Sequence, residues 1–159
     1  MGSEMCIRDR GELLATPIQI AAMINTIAAG GIWREPLFLE CTLDETTGEP
    51  LTALAHRSAR RVFSAQTAQA LRELLASVVT EGTGHEAAPT EGTAAGKTGT
   101  AQTGQFAAGK ELKNYWFAGF YPARNPRYTI VVLQDGQVST EHSSAAIFAR
   151  LCAMLDLLA

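Results

Sequence analysis

Gly96-Lys97-Thr98-Gly99-Thr100 is the stretch whose residue types and spacing could do chemistry. One ammonium and two hydroxyls stand around a residue that has no side chain. On a strand edge beside a cleft, backbone N–H groups of this run would face a substrate carbonyl. Gly99 would let substrate approach the backbone closely. Lys97 would supply a fixed positive charge for an anionic substrate and for proton traffic at a nucleophile. The hydroxyls of Thr98 and Thr100 would bind a carboxylate without adding charge. The plain alternative is a lysine and two threonines on an ordinary strand, because short motifs recur by chance. A remote alternative is a phosphate-binding P-loop of a nucleotide-binding protein, whose motif ends in Gly-Lys-Thr. That motif needs a glycine where Glu91 stands, and Gly92 is one step too close. An acid there would repel phosphate. Ala101-Gln102-Thr103-Gly104 is also a poor start for the helix such a loop must open. Ile130–Asp135 looks like a magnesium-holding strand, but such strands are common.

The motif needs a frame. Thr16-Pro17 reads as a helix start, with Thr as N-cap and Pro at the first helical position. Ile20, Met23, Ile24 and Ile27 follow at helical spacing, and Gly30-Gly31 ends the run. Pro36 to Leu51 alternates weakly around Thr47-Gly48-Glu49 and reads as a hairpin-like excursion. Ser64 caps a second helix to about Thr80, with Ala68, Leu71, Leu75, Val78 and Val79 as its stripe and Arg72 and Glu73 turned outward. Glu81-Gly82-Thr83-Gly84 stops it, and Glu86 to Thr93 is a polar loop. Three strands are then expected: a short Ala95–Gln102, then Asn114–Tyr121 and Tyr128–Gln134, which are apolar on both faces and belong inside a covered sheet. Thr103 to Lys113 reads as a longer polar loop. A last helix from Ser143 carries Ile147, Phe148, Leu151, Leu155 and Leu158 on one face. The fold class is α/β of the α+β type: an antiparallel sheet covered by helices.

Composition narrows the function. A chain of 159 residues is one domain or part of one. The net charge is −3, with Lys and Arg scattered, which argues against nucleic acid as a partner. No apolar run approaches the roughly 20 residues of a membrane helix. Cys6, Cys41 and Cys152 are far apart, and no metal or organic cofactor is implied. His56, His85 and His142 stand apart from any Ser-Asp or metal-like spacing and read as surface or structural residues. Trp116 and Phe117 read as core. Arg57–Arg61 reads as a solvated loop. Residues 1–10 have no apolar period, look like translated sequencing adaptor, and read as a non-native or disordered segment.

The ordered set of stretches resembles the penicillin-binding proteins of the monofunctional D,D-transpeptidase class, the division and sporulation type. Leu14 to Ala21 resembles that family's Thr-Pro helix, and Ala29-Gly30-Gly31 its closing glycine pair. Val62-Phe63-Ser64, Thr67-Ala68 and Leu71-Arg72 are similar to its next helix. Val78 to Gly84 matches the run before its Lys-Thr-Gly strand, and Ala95 to Gln102 matches that strand almost residue for residue. Trp116 to Phe120, Pro122-Ala123 and Asn125-Pro126 look like the next strand and turn, and Ala145 to Phe148 like the closing helix. The resemblance covers about residues 11–155.

It implies a serine β-lactamase/transpeptidase-like fold, and peptidoglycan cross-linking by acyl transfer from D-Ala-D-Ala stem peptides through a serine acyl-enzyme. β-Lactams would acylate the same serine. Lys97 would serve the electrostatic and proton-relay role, and Thr100 would give a backbone oxyanion donor. Thr98, Gly99 and Thr100 would bind substrate, with Gln102 and Thr103 as further cleft candidates. The family's Ser-x-x-Lys and Ser-x-Asn motifs do not occur in this sequence. In the family both precede the Thr-Pro helix. Residues 11–159 are therefore expected to be the C-terminal part of a transpeptidase domain, without its nucleophile and inactive alone. The expected partners are stem peptide, β-lactams and other cell-wall synthesis proteins. The membrane anchor would lie upstream, and the whole protein at the extracytoplasmic face of the plasma membrane. Two alternatives stay open: a serine β-lactamase relative, and a non-catalytic penicillin-sensing or peptide-binding module.

Overall fold

The computed structural model describes residues 15–39, 41–53 and 58–158. Cys6, Leu14, His56, Arg57 and the 1–10 segment lie outside them. Helix α1 (Pro17–Ala28) opens on a full capping box: the Thr16 hydroxyl accepts from the Gln19 amide, and the Gln19 side chain accepts from the Thr16 amide. A short strand β1 (Ile32–Arg34) pairs antiparallel with β4 (Ala59–Arg61). Between them, β2 (Cys41–Leu43) and β3 (Pro50–Ala53) form a hairpin arm. Helix α2 (Ala65–Thr80) is capped by Ser64, and α3 (Ser144–Asp156) by Ser143. A 3-10 turn spans His85–Ala87 in the stretch expected to be loop.

The central sheet has the order β5-β6-β7, with every pair antiparallel. Its strands are β5 (Ala95–Ala107), β6 (Lys110–Tyr121) and β7 (Tyr128–Gln137). Alternation sends successive side chains to opposite faces. Ala95, Ala118 and Phe120 pack with Ile24 of α1 on one face. Phe117, Tyr121 and Val132 pack with Phe148 and Cys152 of α3 on the other. The Phe117 and Phe148 rings lie 4.6 Å apart, tilted by 54°, and both side chains are fully buried. The expected antiparallel sheet between helices is thus present.

Four expectations needed correction. Thr103 to Lys113 is not a loop: β5 and β6 run on through it and turn at Ala108-Gly109, where both residues have positive φ. Arg72 is not turned outward. It reaches across to the carbonyls of Ala123 and Arg124, at 3.4 and 2.5 Å, and ties α2 to the β6–β7 turn. On α3 the buried face is Ala145, Phe148 and Cys152, while Leu151 and Leu158 are exposed. In a short terminal helix the stripe follows what it packs on, not every apolar residue in period. Arg60 and Arg61 are exposed as expected, but on strand β4 and not in a loop: Arg61 donates to the Gly30 and Phe63 carbonyls, and Arg60 stacks over Trp33 at 5.4 Å.

Candidate active site

β5 lies at one end of the sheet, and among the described residues no strand pairs with its outer edge. Alternate backbone N–H and C=O groups of an edge strand point away from its partner. The Lys-Thr-Gly run sits on this edge. Lys97 opposes Ala118, Thr98 opposes Phe117, Gly99 opposes Trp116 and Thr100 opposes Tyr115. The packing behind it is dense. A Cβ on Gly96 would meet the Phe117 ring at 2.6 Å and the Ala118 carbonyl oxygen at 2.8 Å, so only glycine fits immediately before Lys97.

Lys97 is exposed, and its ammonium curls round the strand. It donates to the Thr98 carbonyl at 2.9 Å and to the Thr98 hydroxyl at 3.0 Å. Thr98 is half-buried, and Gly99 and Thr100 are exposed. One charge and two hydroxyls therefore stand together on an unpaired strand edge. Such a set can bind an anionic group and hold a carbonyl against backbone N–H groups.

Gln102 and Thr103 are placed differently. Gln102 donates to Glu111 at 2.9 Å, and the Thr103 hydroxyl donates to the Leu112 carbonyl at 2.6 Å, so both side chains are engaged within the β5–β6 hairpin. The P-loop alternative fails here. Gly96, Lys97 and Thr98 lie inside a strand, and no helix opens after them. His85 and His142 are exposed and lie on other segments. Cys152 is buried in the core beneath α3, in the cluster that holds Phe117 and Phe148. Burial first, then the nearby Asp156 charge, pushes its thiol up to about 12, so it carries no thiolate at neutral pH.

Sequence places Thr83 in a helix stop and in the run that precedes the Lys-Thr-Gly strand, but gives it no role at the site. Its hydroxyl lies 3.4 Å from that of Thr98. The available signal was a threonine held between two glycines, Gly82 and Gly84, immediately after α2.

Behind the strand, the Tyr121 hydroxyl lies 2.7 and 2.9 Å from the two Asp156 carboxylate oxygens and 3.3 Å from the Glu91 carbonyl. The Asp156 hydrogen bond first, then burial, then the Asp156 charge, raise this phenol to about 12. The contact ties the end of α3 to the segment that enters β5.

Comparisons with known proteins identify the family to which this fold belongs. The model of the penicillin-binding protein transpeptidase domain matches residues 9–153. Penicillin-binding protein PbpB of Mycolicibacterium smegmatis is 37% identical over 133 residues, covering 77% of this chain and 20% of the relative. Stage V sporulation protein D of Bacillus subtilis is 34% identical over 128 residues, covering 79% and 20%. A crystal structure of penicillin-binding protein 3 from Mycobacterium tuberculosis, complexed with aztreonam, superposes with a TM-score of 0.78 at 32% identity. That match covers 94% of this chain and 36% of the solved one. The chain thus spans about a fifth of these curated relatives and about a third of that solved structure. Matched over nearly its whole length in sequence and in fold, this chain belongs to the penicillin-binding protein transpeptidase family.

Proposed function

We propose that this chain is the substrate-binding part of a serine D,D-transpeptidase that cross-links peptidoglycan stem peptides and is acylated by β-lactams. The observation that carries the reading is the Lys97 ammonium held on the Thr98 carbonyl and hydroxyl at the unpaired edge of β5, beside exposed Thr100. The carboxylate of a D-Ala-D-Ala end, or of a penicillin, would lie against Thr98, Thr100 and Lys97. Gly99 leaves room for the substrate backbone: a Cβ there would meet only the Trp116 Cβ, at 3.5 Å. The N–H of Thr100 would be one of two oxyanion donors, the other coming from the nucleophile itself. A donor of this kind is worth roughly 10²–10³ in rate. The relative solved with aztreonam supports a β-lactam as ligand.

The nucleophile would come from the part of the relatives that this chain does not span. Its sequence contains no Ser-x-x-Lys and no Ser-x-Asn. We assign residues 11–159 to the C-terminal part of the transpeptidase domain and residues 1–10 to a non-native leader sequence. The whole protein would act at the outer face of the plasma membrane with other cell-wall synthesis proteins.

The test is covalent labelling with a fluorescent penicillin. This chain is compared on a denaturing gel with a version extended upstream to include both missing motifs. Label on the extended chain alone is the expected result. Hydroxylamine-labile label on the short chain would place a nucleophile within it and overturn the assignment. A folded extended chain that takes no label would favour a non-catalytic peptide-binding relative.

A further inference from the structure

Thr98 is the hinge of the polar group on β5. A threonine hydroxyl has one proton and two lone pairs. The Lys97 ammonium has only protons to give and fills one lone pair of Thr98 Oγ1, at 3.0 Å. Thr83 Oγ1 lies 3.4 Å from the same oxygen, and either hydroxyl could be the donor. If Thr83 donates, both lone pairs of Thr98 are filled. The Thr98 proton then has nowhere to go but outward, towards an acceptor. A carboxylate is an acceptor only. A distance of 3.4 Å is long for a hydroxyl pair, but such bonds are often long before substrate arrives and tighten in the complex.

The loop that carries Thr83 is built for that placement. A Cβ on Gly82 would meet the Val78 carbonyl oxygen at 2.9 Å and Cα at 3.0 Å. One on Gly84 would meet Val78 Cγ1 at 3.1 Å and the Phe117 ring at 3.4 Å. The Gly84 amide also donates to the Val78 carbonyl at 3.0 Å. Both glycines therefore let the loop lie close on the last turn of α2, and Gly84 also lets it approach Phe117, the core residue that opposes Thr98. Thr83 itself is exposed, so no packing demand explains a hydroxyl at that point.

We propose that Thr83 is a positioning residue that fixes Thr98 as an outward hydrogen-bond donor and so sets the preference of this site for a carboxylate-bearing substrate. The inference rests on the transpeptidase reading. Its test uses the protein extended upstream to include the serine. The acylation rate is measured with benzylpenicillin and with its methyl ester, which lacks the charged acceptor. Thr83→Val should lower the rate for the acid by roughly three- to tenfold, the value of one hydrogen bond, and leave the ester rate unchanged. Thr83→Ser should keep the wild-type preference. Thr83→Val added to Thr98→Val should cost nothing further, because the two residues act as one unit. An equal loss for acid and ester would make Thr83 merely structural and overturn the proposal, as would no loss for either. Failure of the folded wild-type protein to be acylated by both compounds would instead defeat the transpeptidase reading, and this inference with it.

Discussion

The central sheet and the β2–β3 arm are both antiparallel β-structure, yet they are held by different forces. The sheet is packed on both faces. Phe120 and Ala118 lie under α1, and Phe117 and Val132 under α3. Its register is locked at close quarters, since a Cβ on Gly119 would collide with the Ala95 carbonyl. A slip by one residue would turn every buried side chain to the wrong face. The arm has no such lock. Leu43 and Leu51 are exposed, and two strands alone are marginally stable in water. Its order comes from the turn: the Asp44 carboxylate accepts the amides of Thr46 and Thr47, both at 2.8 Å, and Gly48 takes φ +71° with nothing near it. The chemistry-bearing edge sits on the region fixed by packing, where placement is accurate, and not on the region fixed by local bonds.

The largest test of this contrast removes a sheet-packing side chain. Phe148→Ala should cost about 3–5 kcal/mol, because the cavity opens against Phe117 in the middle of the α3 face. Chemical denaturation reads it directly. A loss no larger than that of a surface substitution would mean that α3 does not hold the sheet.

A smaller effect should come from the clamp between α3 and the entry to β5. Asp156→Ala leaves the buried Tyr121 hydroxyl with only the Glu91 carbonyl, at 3.3 Å, and should cost about 1–3 kcal/mol. The pH dependence has a defined sign. The folded phenol is raised to about 12 from an ordinary value of 10.0. Its contribution is therefore complete below pH 10.0 and is lost as pH rises through about 12. Titration of the phenolate absorbance in Asp156→Asn should show Tyr121 ionising at lower pH than in the wild type, because the charge that opposes phenolate is gone. An unchanged titration would show that burial alone sets it.

Sequence showed the parts of the molecule that obey local rules. Thr16, Ser64 and Ser143 announce their helices because a cap is a short-range bond. The apolar runs of β6 and β7 announce a covered sheet because both faces are buried. What stayed hidden depends on partners far along the chain. Arg72 looked outward because its acceptors, the Ala123 and Arg124 carbonyls, lie some fifty positions away on another turn. Leu151 and Leu158 matched the helical period, but the sheet beneath α3 takes Phe148 and Cys152. The continuation of β5 and β6 was hidden because a polar, glycine-containing hairpin has the composition of a loop. At the site, Lys97, Thr98 and Thr100 were legible because they are adjacent in a motif. Thr83 was not, because its nearness to Thr98 exists only once α2 has packed against β5.

The smallest expected effect lies in the arm. Hydrogen bonds from the Thr47 amide first, then the Thr46 amide, lower the Asp44 carboxyl below its ordinary value of 3.8. The stabilisation it gives the turn is present above that ordinary value and fades as pH falls through the folded one. Asp44→Ala removes those bonds from a turn whose strands touch little else. It should leave the denaturation midpoint of the sheet close to that of wild type, as for surface substitutions away from the core. Cleavage between residues 44 and 49 under limited proteolysis should nonetheless become faster, because local opening needs only the arm to separate. Unchanged cleavage would mean that strand pairing, not the turn, holds the arm. A global loss comparable to that of Phe148→Ala would be more damaging. It would show that the arm and the sheet unfold as one unit, and that the accuracy of the β5 edge depends on the arm.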